Sequence, residues 1–160
     1  MGIMKKFFNQ TRKPEGTLGK LMLRSMNSGH AKMADWGLSH LPPLSPDKIV
    51  ELGCGAGRNA GELLKKYPQS HVTAIDYSSL SVEKAEKYNR ESIGAGRCVV
   101  QQGDVSDLQL PPESFDLATA FETVYFWPGL ERCFAQVAGF AEVTIDHHPS
   151  KPWITVLART

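Results

Sequence analysis

Three glycines at alternate positions, Gly53, Gly55 and Gly57, follow a short apolar run that contains the acid Glu51 near its end. Glycine adopts backbone conformations that side chains exclude, and it lets a ligand approach the main chain closely. The stretch that begins at Arg58 is helix-forming, and a helix N-terminus directs free N–H groups at a ligand. A strand, a glycine loop and a helix in this order predict a site for a nucleoside cofactor.

Two acids farther along the chain could contact the same ligand. Asp76 follows Gly57 by 19 positions and ends an apolar run, where a carboxylate can accept hydrogen bonds from ribose hydroxyls. Asp104 follows Gly103 and could accept from an adenine amino group. Each acid also has a structural interpretation, because Asp often forms turns where strands end. Because both acids fall at the ends of predicted strands, as the glycine loop does, ligand binding is the favoured interpretation.

Position 58 limits which nucleoside cofactor the loop suits. A dinucleotide-binding GxGxxG loop has its third glycine there, close to a pyrophosphate. This chain has Arg58, whose long side chain would obstruct such packing. A ligand with less phosphate and more nucleoside is therefore favoured, and a NAD-dependent oxidoreductase is a less favoured alternative.

Alternating strands and helices are predicted to position these residues. Apolar runs predict four strands, at 48–52, 71–76, 98–104 and 114–122, with Asp116 at the entrance of the fourth. Helices are predicted at 17–39 (one or two), 59–66 and 130–138, with one more that Ser79 or Ser81 caps and that ends at 94–96.

The predicted fold class is α/β, with a Rossmann-like, doubly wound and mostly parallel sheet, because strand–helix alternation implies right-handed crossovers. Two apolar runs separated by the polar connection 146–152 predict an antiparallel C-terminal hairpin that closes the sheet. The predicted organisation is a basic flexible lead at 1–16, an N-terminal helical cap at 17–40 and the Rossmann-like domain at 45–160.

Composition predicts a soluble, cytoplasmic protein. The formal net charge of +1 gives no general attraction to nucleic acid or to an anionic membrane, so neither is expected as a partner. No run approaches the roughly 18 apolar residues of a membrane span, and the first residues lack the long apolar run of a signal peptide. The three cysteines are far apart and odd in number, which fits a reducing compartment.

The motifs together resemble those of the class I S-adenosylmethionine-dependent methyltransferases, nearest to the small-molecule branch that includes ubiquinone- and menaquinone-biosynthesis enzymes. The segments VELGCGAG, AIDYS, QGDV and FDLATAFETVYFW are similar to the family's four motifs in order, within residues 49–136. The resemblance implies S-adenosylmethionine as the cofactor and methyl transfer to a small-molecule acceptor by in-line displacement.

The resemblance also implies roles for the matched positions. Asp76 would contact the ribose, Tyr77 would lie beside the adenine, and Asp104 would accept from the adenine amino group. The cofactor-binding residues that it implies are Glu51, Gly53, Cys54, Gly55, Gly57, Asp76, Tyr77, Asp104, Val105, Phe121 and, from the N-terminal segment, Asn27.

The expected chemistry places few demands on side chains. A sulfonium is already a good leaving group, so the main task is to hold an acceptor in line with the methyl carbon. A base is needed only when the acceptor must lose a proton, and Glu122, His30 and Tyr125 are the candidate catalytic residues. Structural interpretations stay open for His30 as a surface or helix-packing histidine, for Glu122 as a structural carboxylate and for Tyr125 as core or pocket wall.

Other kinds of chemistry are disfavoured. A base-amino methyltransferase would carry a Pro-Pro-aromatic segment after the fourth strand, and 121–126 has none. A metal-dependent catechol-type enzyme would need clustered carboxylates and an Asn there. Asp146-His147-His148 is a poor metal site because adjacent histidines in a strand point to opposite faces, so no metal is expected.

The chain departs from the family pattern near position 138. The family has a fifth parallel strand and a helix before the closing hairpin, whereas Ala138 is followed here by Gly139 and the hairpin. An internal deletion near 138–139 is the simplest interpretation. It would leave an exposed sheet edge, which a homo-oligomer or strand exchange could cover. It also raises the alternative of a cofactor-binding or assembly module without turnover.

Overall fold

The computed structural model describes residues 16–17, 30–108, 110–111, 114–127, 142–147, 149–150 and 154–159. Some predictions concern positions outside this set. They are nearly all of the basic lead, most of the first part of the helical cap, Asn27, the helix at 130–138 and the junction of Ala138 with Gly139.

The described elements alternate between strand and helix before a final pair of strands. In chain order they are α1 Ala31–His40, β1 Lys48–Leu52, α2 Arg58–Lys66, β2 His71–Asp76, α3 Ser79–Tyr88, α4 Arg90–Gly94, β3 Cys98–Gln102, β4 Leu117–Thr119, β5 Glu142–His147 and β6 Ile154–Arg159. Short 3-10 turns lie at Val105–Asp107 and Val124–Phe126. No helix in the described ranges is both long and apolar enough to cross a membrane.

Four parallel strands form the main sheet, in the order β3-β2-β1-β4. The chain first builds outward from β1 through β2 to β3 and then crosses back to place β4 on the other side of β1. Ligands of such sheets bind beyond the carboxyl ends of the strands, where the strand order reverses. The predicted Rossmann-like parallel sheet is confirmed, and this reversal falls between β1 and β4.

The two central strands are buried on both faces, as expected when helices and loops cover a parallel sheet. In β1, Ile49 belongs to a core cluster with Leu63 of α2, whereas Val50 belongs to the cluster on the other face with Ile75 of β2. Lys48–Leu52 and His71–Asp76 have the predicted bounds, because each has apolar residues at its centre and lies between turns. The core therefore holds rigidly the strand ends that face a ligand.

Strands β3 and β4 are shorter than predicted. The strand predicted at 98–104 ends at Gln102, because Asp104 accepts hydrogen bonds from the backbone N–H and hydroxyl of Ser106 and begins a 3-10 turn. The strand predicted at 114–122 covers only Leu117–Thr119, and Glu122 has φ +55°, which is incompatible with an extended chain. Asp116 lies at the entrance of β4, as predicted, and its carboxylate accepts from the N–H groups of Asp47 and of Lys48, the first residue of β1.

The capping prediction for α3 was wrong by one residue. Ser78, rather than Ser79 or Ser81, is the N-cap, and its hydroxyl accepts from the N–H of Ser81 at 3.4 Å. Ser78 takes an extended backbone that places the hydroxyl over the first turn.

Strands β5 and β6 pair with each other in antiparallel register and form a separate two-stranded sheet. Within the described residues they do not join the edge of the parallel sheet, where the sequence had placed them. The neighbouring edge would be β4, whose three residues offer a short partner for a strand of six.

Candidate functional site

A pocket opens at the carboxyl ends of the parallel strands, between the glycine loop 53–57 and the start of α1. The fold brings together residues that are far apart in sequence, from the turn before α1 to the segment that follows β4. The predicted site residues that line it are His30, Gly53, Cys54, Gly55, Asp76, Tyr77, Asp104, Val105, Phe121 and Glu122.

The glycine loop presents its backbone to this pocket. The N–H groups of Gly53 and Cys54 donate to the carbonyl oxygen of Ile75 at 2.8 and 3.0 Å, which ties the loop to β2. Gly55 has φ +53°, and a Cβ built on it would meet no atom within 4 Å. Because Gly55 lines the pocket, that open space is where a ligand can approach the main chain.

Gly57 lies outside the pocket lining and faces α3 instead. Its φ is +85°, and an added Cβ would lie 2.6 Å from Asn89 Nδ2 and 2.7 Å from Ala85 Cα. The amide of Asn89 donates to the Gly57 carbonyl oxygen at 2.9 Å. The third glycine therefore allows α3 to pack against the loop, rather than a ligand as the sequence had predicted.

Asp76 lies at the end of β2 with its carboxylate directed at the loop. Oδ2 accepts from the N–H of Gly55 and Oδ1 from the N–H of Ser78, both at 2.9 Å. Burial raises the pKa of this carboxyl, while the bonds from Ser78, Gly55 and Ser81 act in the opposite direction. Backbone donors thus orient both oxygens beside the open position of Gly55.

Asp104 and Tyr77 lie on the same side of the pocket, at the ends of β3 and β2. Asp104 lines the pocket and also begins the turn at Val105, so the ligand-binding and turn-forming interpretations of this acid coexist. The side-chain amide of Gln102 donates to the Tyr77 carbonyl oxygen at 2.9 Å, which ties the two strand ends together.

Glu51 lies behind the loop, outside the pocket lining, and is fully buried. Its Oε2 accepts from the hydroxyl of Thr119 on β4, while Oε1 has no hydrogen-bond partner among the described residues. Burial raises its pKa from the ordinary 4.5 to about 8, although the Thr119 hydroxyl opposes the shift. Its place between β1 and β4 differs from the pocket position that the sequence had implied.

Nδ1 of His30 and Oε2 of Glu122 are in contact at the pocket. Glu122 is the only residue other than glycine with a positive φ in the part of the chain that the structure describes. A left-handed backbone at such a residue costs about 1–3 kcal/mol and often marks a functional position. Two of the three candidate catalytic residues therefore meet, although 92 positions separate them in sequence.

Tyr125, the third candidate, lies outside the pocket lining and is 64% exposed. Its neighbours Phe126 and Trp127 line the pocket instead. The indole N–H of Trp127 donates to the hydroxyl of Thr123 at 3.2 Å, which orients the ring. The 3-10 turn at Val124–Phe126 thus directs Tyr125 to solvent and the next two aromatic residues to the pocket.

Arg58 has a partner that sequence reasoning missed. Its guanidinium donates to the carboxylate of Asp35 on α1 at 2.5 Å. Because His30 and Asp35 both belong to the α1 region, side-chain contacts near the start of this helix and at its middle hold it over the pocket. No local pattern signals a contact between residues 23 positions apart, and Arg58 had been considered only as an obstacle to pyrophosphate.

Cys54 lines the pocket but is unsuited to act as a nucleophile. Burial raises the pKa of its thiol well above the ordinary value, and the nearby carboxyls of Asp76 and Glu51 raise it further. The thiolate, which is the reactive form, is therefore suppressed. Cys54 contributes shape to the pocket rather than chemistry.

Comparison with known proteins identifies a matching family model and proteins of similar sequence. A family model described as a methyltransferase domain matches residues 49–142. The chain is 32% identical over 129 residues to O-methyltransferase cnsE of Penicillium expansum, which covers 74% of this chain and 45% of that protein. It is 30% identical over 139 residues to a tRNA1(Val) (adenine(37)-N6)-methyltransferase of Vibrio cholerae, which covers 87% of this chain and 53% of that protein.

A solved structure shows the same fold. It is that of a putative S-adenosyl-L-methionine-dependent methyltransferase from Methanococcus maripaludis, with a TM-score of 0.64 and 21% identity over 75% of this chain and 56% of that one. The chain thus spans about half the length of the proteins it matches here.

The fold and the pocket define a Rossmann-like protein whose ligand site lies at the carboxyl ends of parallel strands. The family match covers more than half of the chain, so the chain belongs to the methyltransferase-domain family, of the class I S-adenosylmethionine-dependent type.

Proposed function

We propose that this protein transfers a methyl group from S-adenosylmethionine to a small-molecule acceptor by in-line displacement. The observation that carries the proposal is the pairing of Gly55 and Asp76: an open glycine backbone lies beside a carboxylate that backbone N–H groups already orient. A preformed site of this kind loses little freedom when a ligand binds.

The residues around this pair fit a nucleoside cofactor. Gly55, Ser78 and Ser81 together occupy three of the roughly four acceptor sites of the Asp76 carboxylate, and with the remaining site it would hold a ribose hydroxyl. Tyr77 and Val105 would flank the adenine, and Asp104 would accept from its amino group. The backbone from Gly53 to Gly55 would lie along the remainder, with Phe121 on the acceptor side.

The role of the protein in this reaction is mainly to position the reactants. Bound S-adenosylmethionine supplies a methyl group on a sulfonium, which is a good leaving group. Holding an acceptor in line can lower a barrier by roughly 7–11 kcal/mol. The pocket side formed by α1 and the segment after β4 would exclude water and orient the acceptor.

A small molecule suits this pocket better than a nucleic acid. The segment 121–126 lacks a Pro-Pro-aromatic sequence with which to grip a flipped base, and the net charge is only +1. The similarity to O-methyltransferase cnsE agrees with this proposal. The similarity to a tRNA methyltransferase makes an RNA acceptor the outcome that an assay must be able to reveal.

Calorimetry tests the cofactor site first. S-adenosylhomocysteine should bind, and NAD should not. Binding of NAD alone would contradict the proposal. A transfer assay with methyl-labelled S-adenosylmethionine then compares a panel of small molecules with unmodified transcribed tRNA. Label in tRNA alone would contradict the small-molecule acceptor, and bound cofactor without transfer to either would favour the module without turnover.

A further inference from the structure

We propose that Thr123 couples the two sides of the pocket. It packs the segment that follows β4 against Gly53 of the glycine loop and orients Trp127, so that a cofactor on the loop changes the surroundings of this indole. Thr123 is a positioning residue, because it acts through Gly53 and Trp127. The inference rests on the proposed function, which places the cofactor on the loop and the acceptor beside the segment after β4.

Gly53 has no room for a side chain, because Thr123 occupies that space. Gly53 has φ +74°, and a Cβ built on it would lie 2.7 Å from Cβ of Thr123 and 2.9 Å from Cγ2. Carbon atoms that are not bonded attract each other at about 3.5–4.0 Å, and they repel at much shorter distances. The first glycine of the loop is therefore required by the close approach of Thr123 as well as by its own backbone.

This close approach joins two segments that line the pocket from different sides. The N–H of Gly53 donates to the carbonyl oxygen of Ile75, so Thr123 packs against the part of the loop that is tied to β2. Gly55, two residues farther on, is the open position that faces a ligand. Because closely packed groups transmit displacements, a ligand that shifts the loop backbone also shifts Thr123.

The hydroxyl of Thr123 bonds to Trp127 rather than to the turn that follows it. A threonine at the start of a helical turn often caps that turn, yet Thr123 makes no side-chain cap hydrogen bond to the 3-10 turn at Val124–Phe126. Its Oγ1 instead accepts from the indole N–H of Trp127 at 3.2 Å. An indole has a single N–H donor, so this bond restricts the rotation of the ring.

Trp127 brings this connection to the side of the pocket where an acceptor would bind. Its ring lines the pocket and packs against the core cluster that contains Leu52 and Ile75. These two residues also line the pocket. The indole is therefore held between the core beneath the loop and the hydroxyl of Thr123. A change at either support alters the surroundings of the ring, which its fluorescence reports.

The backbone just before Thr123 agrees with a specific role for this residue. Glu122 has φ +55°, a conformation that is strained for a residue with a side chain. Such strain persists only where the surrounding contacts impose it. The packing of Thr123 against Gly53 and its hydrogen bond from Trp127 are contacts of that kind.

The coupling matters because methyl transfer depends on the relative placement of two reactants. A misplacement of about 1 Å can lower the rate of an oriented reaction roughly 10²-fold. A pocket wall that is packed directly against the cofactor loop keeps the acceptor side at a fixed distance from the cofactor.

Tryptophan fluorescence during titration with S-adenosylhomocysteine tests the inference, and calorimetry measures the affinity of each variant. Binding should change the emission of the wild-type protein, and Trp127→Phe should remove most of that change. Thr123→Val keeps the shape at Gly53 but loses the hydroxyl, so it should bind with nearly unchanged affinity and lose most of the Trp127 response. Thr123→Ser retains the hydroxyl and should retain the response, which a purely structural role would not predict.

Thr73→Val is the matched control, because Thr73 lies in β2 outside the pocket lining. It should keep both the affinity and the emission change. The inference is overturned by a full response in Thr123→Val, by a response that Thr123→Ser also loses, or by no Trp127 response in wild-type protein that binds. A large loss of affinity in Thr123→Val would mean that Thr123 contacts the ligand itself, and it would also overturn the inference.

A double-mutant cycle tests the contact with Gly53 separately. Gly53→Ala should lower the melting temperature, and the decrease should be smaller in a Thr123→Gly background, where the space is free. Equal decreases in the two backgrounds would show that Thr123 does not fill the space at Gly53, and they would overturn the inference.

The wild-type protein provides a measurement for the case in which no Thr123 variant folds. The indole N–H resonance of Trp127, assigned by its loss in Trp127→Phe, should shift when S-adenosylhomocysteine binds. An unchanged resonance in protein with bound ligand would overturn the inference. Failure to bind S-adenosylhomocysteine would instead contradict the proposed function, so the two failures are distinguishable.

Discussion

The side-chain amide of Asn89 donates a hydrogen bond to the carbonyl oxygen of Gly57 at 2.9 Å, across 32 positions of sequence. The same Nδ2 lies 3.1 Å from the carbonyl oxygen of Ala85, and the side chain is buried. Asn89 ends α3 and therefore connects that helix to the back of the glycine loop. The side chain of Asn89 therefore supports the glycine loop from outside the pocket lining.

Asn89→Ala should weaken both folding and cofactor binding. The Gly57 carbonyl oxygen still accepts from the N–H of Gly61, so loss of the amide should cost about 0.5–1.5 kcal/mol, the net contribution of an ordinary hydrogen bond, and the loop would lose the contact that keeps its shape. Asn89→Asp, which removes the donor at nearly constant volume, should behave similarly. Thermal unfolding and calorimetry with S-adenosylhomocysteine measure the two effects. Glu86→Ala, at an exposed position of α3, is the control and should change stability by less than about 0.5 kcal/mol.

The elements that sequence predicted well are those whose signal is local. β1 and β2 are apolar runs bounded by turn residues, and their bounds were predicted to the residue. The parallel order followed from strand–helix alternation, and the acids at 76 and 104 fell at strand ends that the fold brings to one pocket. Local periodicity thus predicted the scaffold and the side of the sheet on which the pocket lies.

The features that sequence could not predict depend on contacts between distant residues. Gly57 looked like part of a ligand loop, yet its missing Cβ makes room for Asn89 and Ala85. Glu51 looked like a pocket acid, yet the short β4 places Thr119 beside it and buries it. Both roles depend on how α3 and β4 pack against the elements near β1, and neither composition nor residue spacing indicates that packing.

Substitution of Gly55 and Gly57 should separate binding from stability. Gly57→Ala combines a left-handed backbone with a clash against α3, so it should lower the free energy of unfolding by roughly 2–5 kcal/mol. Gly55→Ala has open space and should cost only about 1–2 kcal/mol through its backbone. Its Cβ would occupy the ligand side, so S-adenosylhomocysteine binding should weaken by more than about tenfold, or 1.4 kcal/mol.

Gly94→Ala serves as the control for both glycines, because it ends α4 with no neighbour within 4 Å and without a positive φ. It should leave binding unchanged. Equal affinity of Gly55→Ala and the wild type would show that the open position of the loop is not the ligand side.

Asp76→Ala should reduce the affinity for S-adenosylhomocysteine by roughly 1.5–3 kcal/mol, the usual contribution of hydrogen bonds to a charged group. It should also cost some stability, because the N–H groups of Gly55 and Ser78 would lose their acceptor. Calorimetry on variant protein that has first been verified to be folded measures the change in affinity. Asp47→Ala, exposed at the opposite end of the strands, should bind as the wild type does. Unchanged affinity in Asp76→Ala would remove this carboxylate from the site.

The buried carboxyl of Glu51 should make stability depend on pH in an unusual direction. Burial raises its pKa from 4.5 to about 8 in the folded protein, so between these values the folded state binds a proton that the unfolded state has released. Its contribution to stability is therefore fully present below about pH 4.5 and is lost as the pH rises through about 8. A carboxylate with a lowered pKa would give the opposite slope.

Glu51→Gln removes this titration while keeping an acceptor for the Thr119 hydroxyl. Denaturant unfolding of both proteins from pH 4.5 to 8.5 should show the wild type losing stability relative to the variant as the pH rises. The slope should approach, but not exceed, about 1.4 kcal/mol per pH unit, the free energy of one proton. Glu91→Gln, at an exposed glutamate of α4, should leave the wild-type slope unchanged. A pH-independent difference between the wild type and Glu51→Gln would mean that Glu51 is ionised when folded. The amine of a cofactor or an unidentified cation would then have to be considered as a partner for Oε1, the oxygen without a hydrogen-bond partner among the described residues.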